Sequence, residues 1–123
     1  MTDNRNVALI VEDEFLIAEG FRSQLDLMGI EVCGVVSTAD EAVDLAMEHN
    51  PGFVLMDVRL EGERDGVDAA MAIYEKVGSK VIFVTGSREP ETIERIAQDH
   101  PFATLFKPIS AIQLKRTVER ATC

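Results

Sequence analysis

Five short apolar runs recur along the chain, at Val7–Val11, Val32–Val36, Phe53–Met56, Val81–Thr85 and Ala103–Phe106. Each holds four or five residues, too few for a helix, and most lack the apolar-polar alternation of a half-exposed strand. Such runs predict strands buried on both faces, as in a parallel sheet. Between them the apolar residues fall three or four apart. Ala18, Phe21, Leu25 and Met28 form one stripe, stopped by Gly29. Ala42, Leu45 and Ala46 form a second, behind Thr38 and Glu41 in capping-box spacing and ahead of Asn50-Pro51. Val67, Ala70, Ile73, Tyr74 and Val77 carry a third, closed by Gly78-Ser79. The fourth is thin, Ile93, Ile96 and Ala97 behind Pro90, which suits a first helical turn. The fifth has Ile112, Leu114, Val118 and Ala121 behind Ser110 as a cap. Strand and helix thus alternate five times. Each parallel connection needs a crossover, so the pattern predicts an α/β fold, a parallel sheet with helices on both faces.

No linker, repeat or low-complexity segment breaks the series, and residues 1–123 are expected to form one domain with no output domain. With 46% apolar residues the chain can bury a sizeable core. Its 12 Lys and Arg against 22 Asp and Glu leave a formal charge of −10. That charge argues against independent binding to nucleic acid or an anionic membrane and favours proteins and cations as partners. Cys33 and Cys123 make no disulfide framework or metal spacing and suit a reducing compartment, with Cys33 a small core residue. Residues 1–6 lack the apolar run of a leader, and no stretch reaches the roughly 18 to 20 apolar residues of a membrane span. A cytoplasmic location is the expectation.

Parallel strands bring their C-terminal ends to one edge of a sheet, where open α/β folds bind ligands. At those ends stand Glu12 and Asp13, then Asp57, Thr85 and Lys107. Two carboxylates about 4 Å apart repel by about 4 kcal/mol at an effective dielectric near 20, so three acids at one rim call for a cation. Mg²⁺ prefers oxygen ligands and commonly pairs one or two carboxylates with a phosphate oxygen. A carboxylate nucleophile, Mg²⁺, a lysine and a hydroxyl are together the parts for phosphoryl transfer, and the expected product is an aspartyl phosphate.

These residues, in this order at these strand ends, resemble the receiver domain of two-component response regulators, and the resemblance covers essentially the whole chain. It implies a single doubly wound (βα)5 domain of the flavodoxin-like, CheY-like kind, with a five-stranded parallel sheet in order 2-1-3-4-5. It implies Asp57 as phosphoacceptor, Asp13 as a direct Mg²⁺ ligand and Glu12 as an acid acting on the metal. Arg59 matches the position that offers the metal its backbone carbonyl, Thr85 the switch hydroxyl and Lys107 the lysine that pairs with the phosphoryl group. A cis peptide before Pro108 is implied as well. Three departures stand out. Glu12 replaces the commoner Asp, the loop Leu60–Gly66 lacks the usual proline and is one residue longer, and Thr104 stands where many receivers carry an aromatic. Phe83-Val84-Thr85-Gly86-Ser87 resembles the Phe-x-Thr-Gly signature of the FAT GUY receivers, with Ser87 for the usual aromatic.

The resemblance implies a phosphorylation-dependent switch, not an enzyme with a separate substrate, served by a sensor histidine kinase or histidine phosphotransfer protein. The alternative is an Mg²⁺-dependent phosphatase or phosphotransferase acting on small phosphate esters. Such enzymes usually carry a second acid two residues after the nucleophile, where this chain has Arg59. A nucleotide-binding module would need a loop after strand 1 that cradles phosphate, but that loop is Glu12-Asp13-Glu14. His49 and His100 are expected at helix ends on the surface, and Lys115, Arg116 and Arg120 on a solvated helix face.

Overall fold

The computed structural model describes residues 3–123; Met1 and Thr2, part of the start expected to lack a leader, lie outside them. Strands β1 (Val7–Val11), β2 (Glu31–Val36), β3 (Phe53–Asp57), β4 (Lys80–Thr85) and β5 (Ala103–Phe106) alternate with five helices. These are α1 (Phe15–Leu27), α2 (Ala39–His49), α3 (Gly66–Lys76), α4 (Pro90–Ala97) and α5 (Ala111–Ala121). The strands pair in parallel in the order β2-β1-β3-β4-β5, the order that the resemblance implied.

Successive side chains on a strand point to opposite faces, and both faces here are covered. Leu9, Val11, Val54, Met56 and Phe83 pack on one side against Ala42, Ala46, Ala70, Ile73 and Ile96 of α2, α3 and α4. Ala8, Ile10, Phe53, Leu55, Ile82 and Val84 pack on the other against Phe21, Leu25, Leu114 and Val118 of α1 and α5. Burial on both faces is why β1, β3 and β4 read as continuous apolar runs. The edge strands β2 and β5, expected to be buried as well, are only partly so because each has one neighbour in the sheet. Each fully buried large aliphatic or aromatic side chain contributes about 1.5 to 3 kcal/mol. Cys33 lies half-buried against the first layer, where burial pushes its thiol up, and Cys123 is exposed.

Local chemistry sets the helix ends. Gly29 follows α1 in the left-handed region at φ 77, and Asn50 caps α2 there at φ 47. The Thr38 hydroxyl accepts the Glu41 N–H at 3.2 Å and donates to the Glu41 carboxylate at 3.0 Å, so Glu41 does not reach back to the backbone. The reciprocal capping box sits on α3: Asp65 accepts the N–H groups of Val67 and Asp68, and Asp68 accepts that of Asp65 at 2.9 Å. Ser110 accepts the Gln113 N–H at 3.1 Å, as expected.

Some expected core positions lie outside. Ile112 is 64% exposed because it precedes Leu114 by two residues, roughly 200° around the helix. Tyr74 is 43% exposed; its neighbour Ile73 takes the sheet-facing position, and the Tyr74 ring stacks on His100 with centroids 4.1 Å apart. On α4 only Ile96 is buried. The β3–α3 loop reaches sideways: the Glu61 N–H donates to the Ser37 carbonyl at 3.2 Å, and Arg64 pairs with Asp40 at the start of α2. Among the described residues no helix is long and apolar enough to cross a membrane.

Candidate functional site at the strand ends

The parallel register gathers the five strand-end side chains. β1 ends at Val11, which puts Glu12 and Asp13 at the rim, and the Glu12 N–H still donates to the Val36 carbonyl at 2.9 Å. Asp57 is the last residue of β3 and pairs with Val84, so Thr85 extends one residue beyond it. The Lys107 N–H donates to the Thr85 carbonyl at 2.8 Å, which seats Lys107 beside that threonine. The Lys107-Pro108 peptide is cis.

One carboxylate oxygen from each of Glu12, Asp13 and Asp57 lies within 4.8 Å of the other two. Glu12 is 3% exposed and Asp57 5%, whereas Asp13 is open to solvent. Lys107 Nζ donates to Glu12 Oε1 at 2.8 Å and stands 3.6 Å from Asp57 Oδ2, so its shorter bond is to Glu12. Glu12 Oε2 also accepts the Glu14 N–H at 3.2 Å. Asp57 Oδ1 accepts the Arg59 N–H at 3.4 Å, a long bond, while the Arg59 side chain is exposed. Thr85 Oγ1 accepts the Ser87 N–H at 3.0 Å. Asp13, Asp57, Arg59, Thr85, Arg88 and Lys107 line an open cavity of about 550 Å³, and the buried Glu12 is not among its lining residues.

The charges are unbalanced. Burial, and then the neighbouring Glu12 carboxylate, push Asp57 well above the ordinary aspartate range despite Lys107. Burial works in the same direction on Glu12, but hydrogen bonds from Asp57, Lys107 and the Glu14 N–H outweigh it and lower that carboxyl. Partial desolvation and Glu12 raise Asp13. Burial alone would lower Lys107, yet its bond to Glu12 and the charge of Asp57 hold it above the usual lysine range. Three carboxylates against one ammonium, all with oxygen donors and one facing solvent, fit a hard divalent cation such as Mg²⁺.

Two residues at this site escaped the sequence reading. A Cβ added to Gly66 would fall 1.9 Å from the Asp57 carbonyl oxygen, so only glycine lets α3 begin against the backbone of Asp57. Its place before an apolar stripe was the one available signal. Arg88 lines the cavity from the β4–α4 loop, and nothing local distinguishes it from a surface arginine.

Comparison with known proteins gives a consistent result. Residues 8–119 match the family described as response regulator receiver domain. The chain is 36% identical over 113 residues to the transcriptional regulatory protein PdtaR of Mycobacterium tuberculosis, covering 92% of this chain and 55% of the relative. It is 33% identical over 114 residues to the polar-differentiation response regulator DivK of Brucella abortus, covering 90% of this chain and 91% of that one. The chain spans about half the length of the first of these relatives. The signal receiver domain of a modulated diguanylate cyclase from Desulfovibrio desulfuricans superposes with a TM-score of 0.89 at 38% identity, covering 94% of this chain and 92% of that one. By its sheet order, its acidic strand-end cluster and these matches, the chain belongs to the response regulator receiver domain family of two-component signalling.

Proposed function

We propose that this receiver takes a phosphoryl group from a phosphohistidine, on a sensor histidine kinase or a histidine phosphotransfer protein, onto Asp57. The aspartyl phosphate then changes its contacts with other proteins. The observation that carries this reading is the setting of Asp57: its carboxylate meets an open cavity, with Lys107 Nζ 3.6 Å away and the oxygens of Glu12 and Asp13 beside it.

In this reading an Asp57 oxygen attacks phosphorus, an O–P bond forms, and the P–N bond to histidine breaks as the imidazole leaves with the bonding pair. Lys107 offers positive charge, and Thr85 a hydroxyl proton, to the phosphoryl oxygens. Glu12, Asp13, Asp57 and the Arg59 carbonyl would hold Mg²⁺, which when bound supplies positive charge to those oxygens and to the crowded carboxylates. Residues 1–123 act as one receiver unit whose output is protein contact, and the net charge of −10 favours protein partners over nucleic acid. Phe83-Val84-Thr85-Gly86 on β4 supports a place among the FAT GUY receivers. Arg59, where a phosphoaspartate-forming hydrolase would carry its second acid, supports a switch over turnover of small esters.

Incubation with a small phosphodonor, with and without Mg²⁺, tests the reading by intact mass. One added phosphoryl group is expected for the wild type with Mg²⁺ and none for Asp57→Asn. An adduct that persists in Asp57→Asn would refute it.

A further inference from the structure

Arg88 stands at the mouth of the same cavity, and its guanidinium carbon lies 4.4 Å from the centroid of the Phe106 ring. Phe106 ends β5 immediately before Lys107, so the contact holds the guanidinium over the residue next to the site's lysine. Lys107 is bonded to Glu12, and Arg5, Arg64 and Arg95 are each paired with an aspartate; Arg88 makes no ion pair among the described residues. Arg59 also lines the cavity, but no ring holds its side chain among the described residues. A guanidinium already fixed by stacking loses less freedom when it binds an anion, and its fork of N–H donors matches phosphoryl oxygens. The surroundings make such a charge necessary: an incoming dianion must pass Asp13, Glu14 and Glu89 on the walls of this cavity.

We propose that Arg88, steadied by Phe106, is the residue that receives the oxygens of an incoming dianionic phosphodonor and so sets how strongly the site discriminates donors by charge. This rests on the phosphoryl-transfer reading above and assigns Arg88 to donor capture, distinct from the attack by Asp57. Lysine at this position keeps the charge but not the planar guanidinium with its fork of donors. Phe106→Leu keeps the arginine and removes the ring that orients it.

The test compares second-order phosphorylation rate constants for acetyl phosphate, a dianion near neutral pH, and phosphoramidate, which carries less charge, at fixed Mg²⁺ and ionic strength. Arg88→Ala is expected to lower the acetyl phosphate constant by about tenfold, in line with loss of a charge-assisted contact, and the phosphoramidate constant by less than about threefold. Arg88→Lys and Phe106→Leu should fall between wild type and Arg88→Ala, with Mg²⁺ affinity by direct titration unchanged in all. Equal losses with both donors, or no loss with either, would overturn the assignment while leaving Asp57 as acceptor. A wild type that takes no phosphoryl group from either donor would overturn both readings together.

Discussion

Asp99, 1% exposed, keeps both carboxylate oxygens without a hydrogen-bond partner among the described residues. Burial pushes its pKa from 3.8 to about 6, against the attraction of His100 and Arg95 and with smaller help from the charges of Asp68 and Glu75. The folded chain therefore holds this proton more tightly than the unfolded chain. Stability from this group is complete below the unfolded value, falls as pH rises through about 6, and is then level. At about 1.4 kcal/mol per pKa unit the loss is on the order of 2 to 3 kcal/mol. Asp99→Asn removes the charge at similar volume. Denaturant unfolding is expected to favour the variant by about 2 kcal/mol at pH 7.5, with the gap closing near pH 4. A gap that does not change with pH would show that Asp99 is not the titrating group. Nothing in the sequence singled out this aspartate, because its burial depends on how the end of α4 settles on the protein.

The α4 helix is held by few contacts beyond Ile96. Arg95 grips Asp65 with both terminal nitrogens, at 2.7 and 3.1 Å, and Asp68 lies 3.5 Å from one of them. Asp65 caps α3 at the end of the loop that follows Asp57. At the other end of α4, Thr85 accepts from Ser87, and Ser87 accepts the Glu89 N–H at 3.2 Å just before the helix begins. The start of α4 therefore connects to Thr85 at the end of β4 and its last turn to the cap of α3, without an aromatic at Thr104, a partly buried residue of β5 that pairs with Phe83. Arg95→Ala is expected to raise amide exchange across 90–97 several-fold at a stability cost under about 1 kcal/mol, with α5 unaffected. Exchange in α4 equal to wild type would remove Arg95 as its anchor. The thin stripe of Ile93, Ile96 and Ala97 already marked α4 as weakly seated. The ion pair was not legible, since its partners lie 30 residues apart and the capping box beside it uses Asp68 rather than the familiar glutamate.

Across the whole molecule, the topology makes the acidic site readable from sequence. A parallel sheet buried on both faces leaves unbroken apolar runs, and each run that ends in a functional group marks one edge, so Glu12, Asp13, Asp57, Thr85 and Lys107 could be grouped without coordinates. Residues that approach the site from loops and helices, Gly66 and Arg88 above all, follow no such rule. The strand-end group leaves Asp57 as the buried carboxylate that lines the cavity: Glu12 is buried and is not among the cavity's lining residues, and Asp13 lies in solvent. The most direct measurement is to treat the chain with phosphodonor and Mg²⁺, reduce it with borohydride and sequence the peptides by mass spectrometry. Reduction turns a phosphorylated aspartate into homoserine. Homoserine at position 57 alone is the result this account predicts; homoserine at position 13 or any other aspartate, or the longer alcohol that a phosphorylated glutamate such as Glu12 would give, would contradict it.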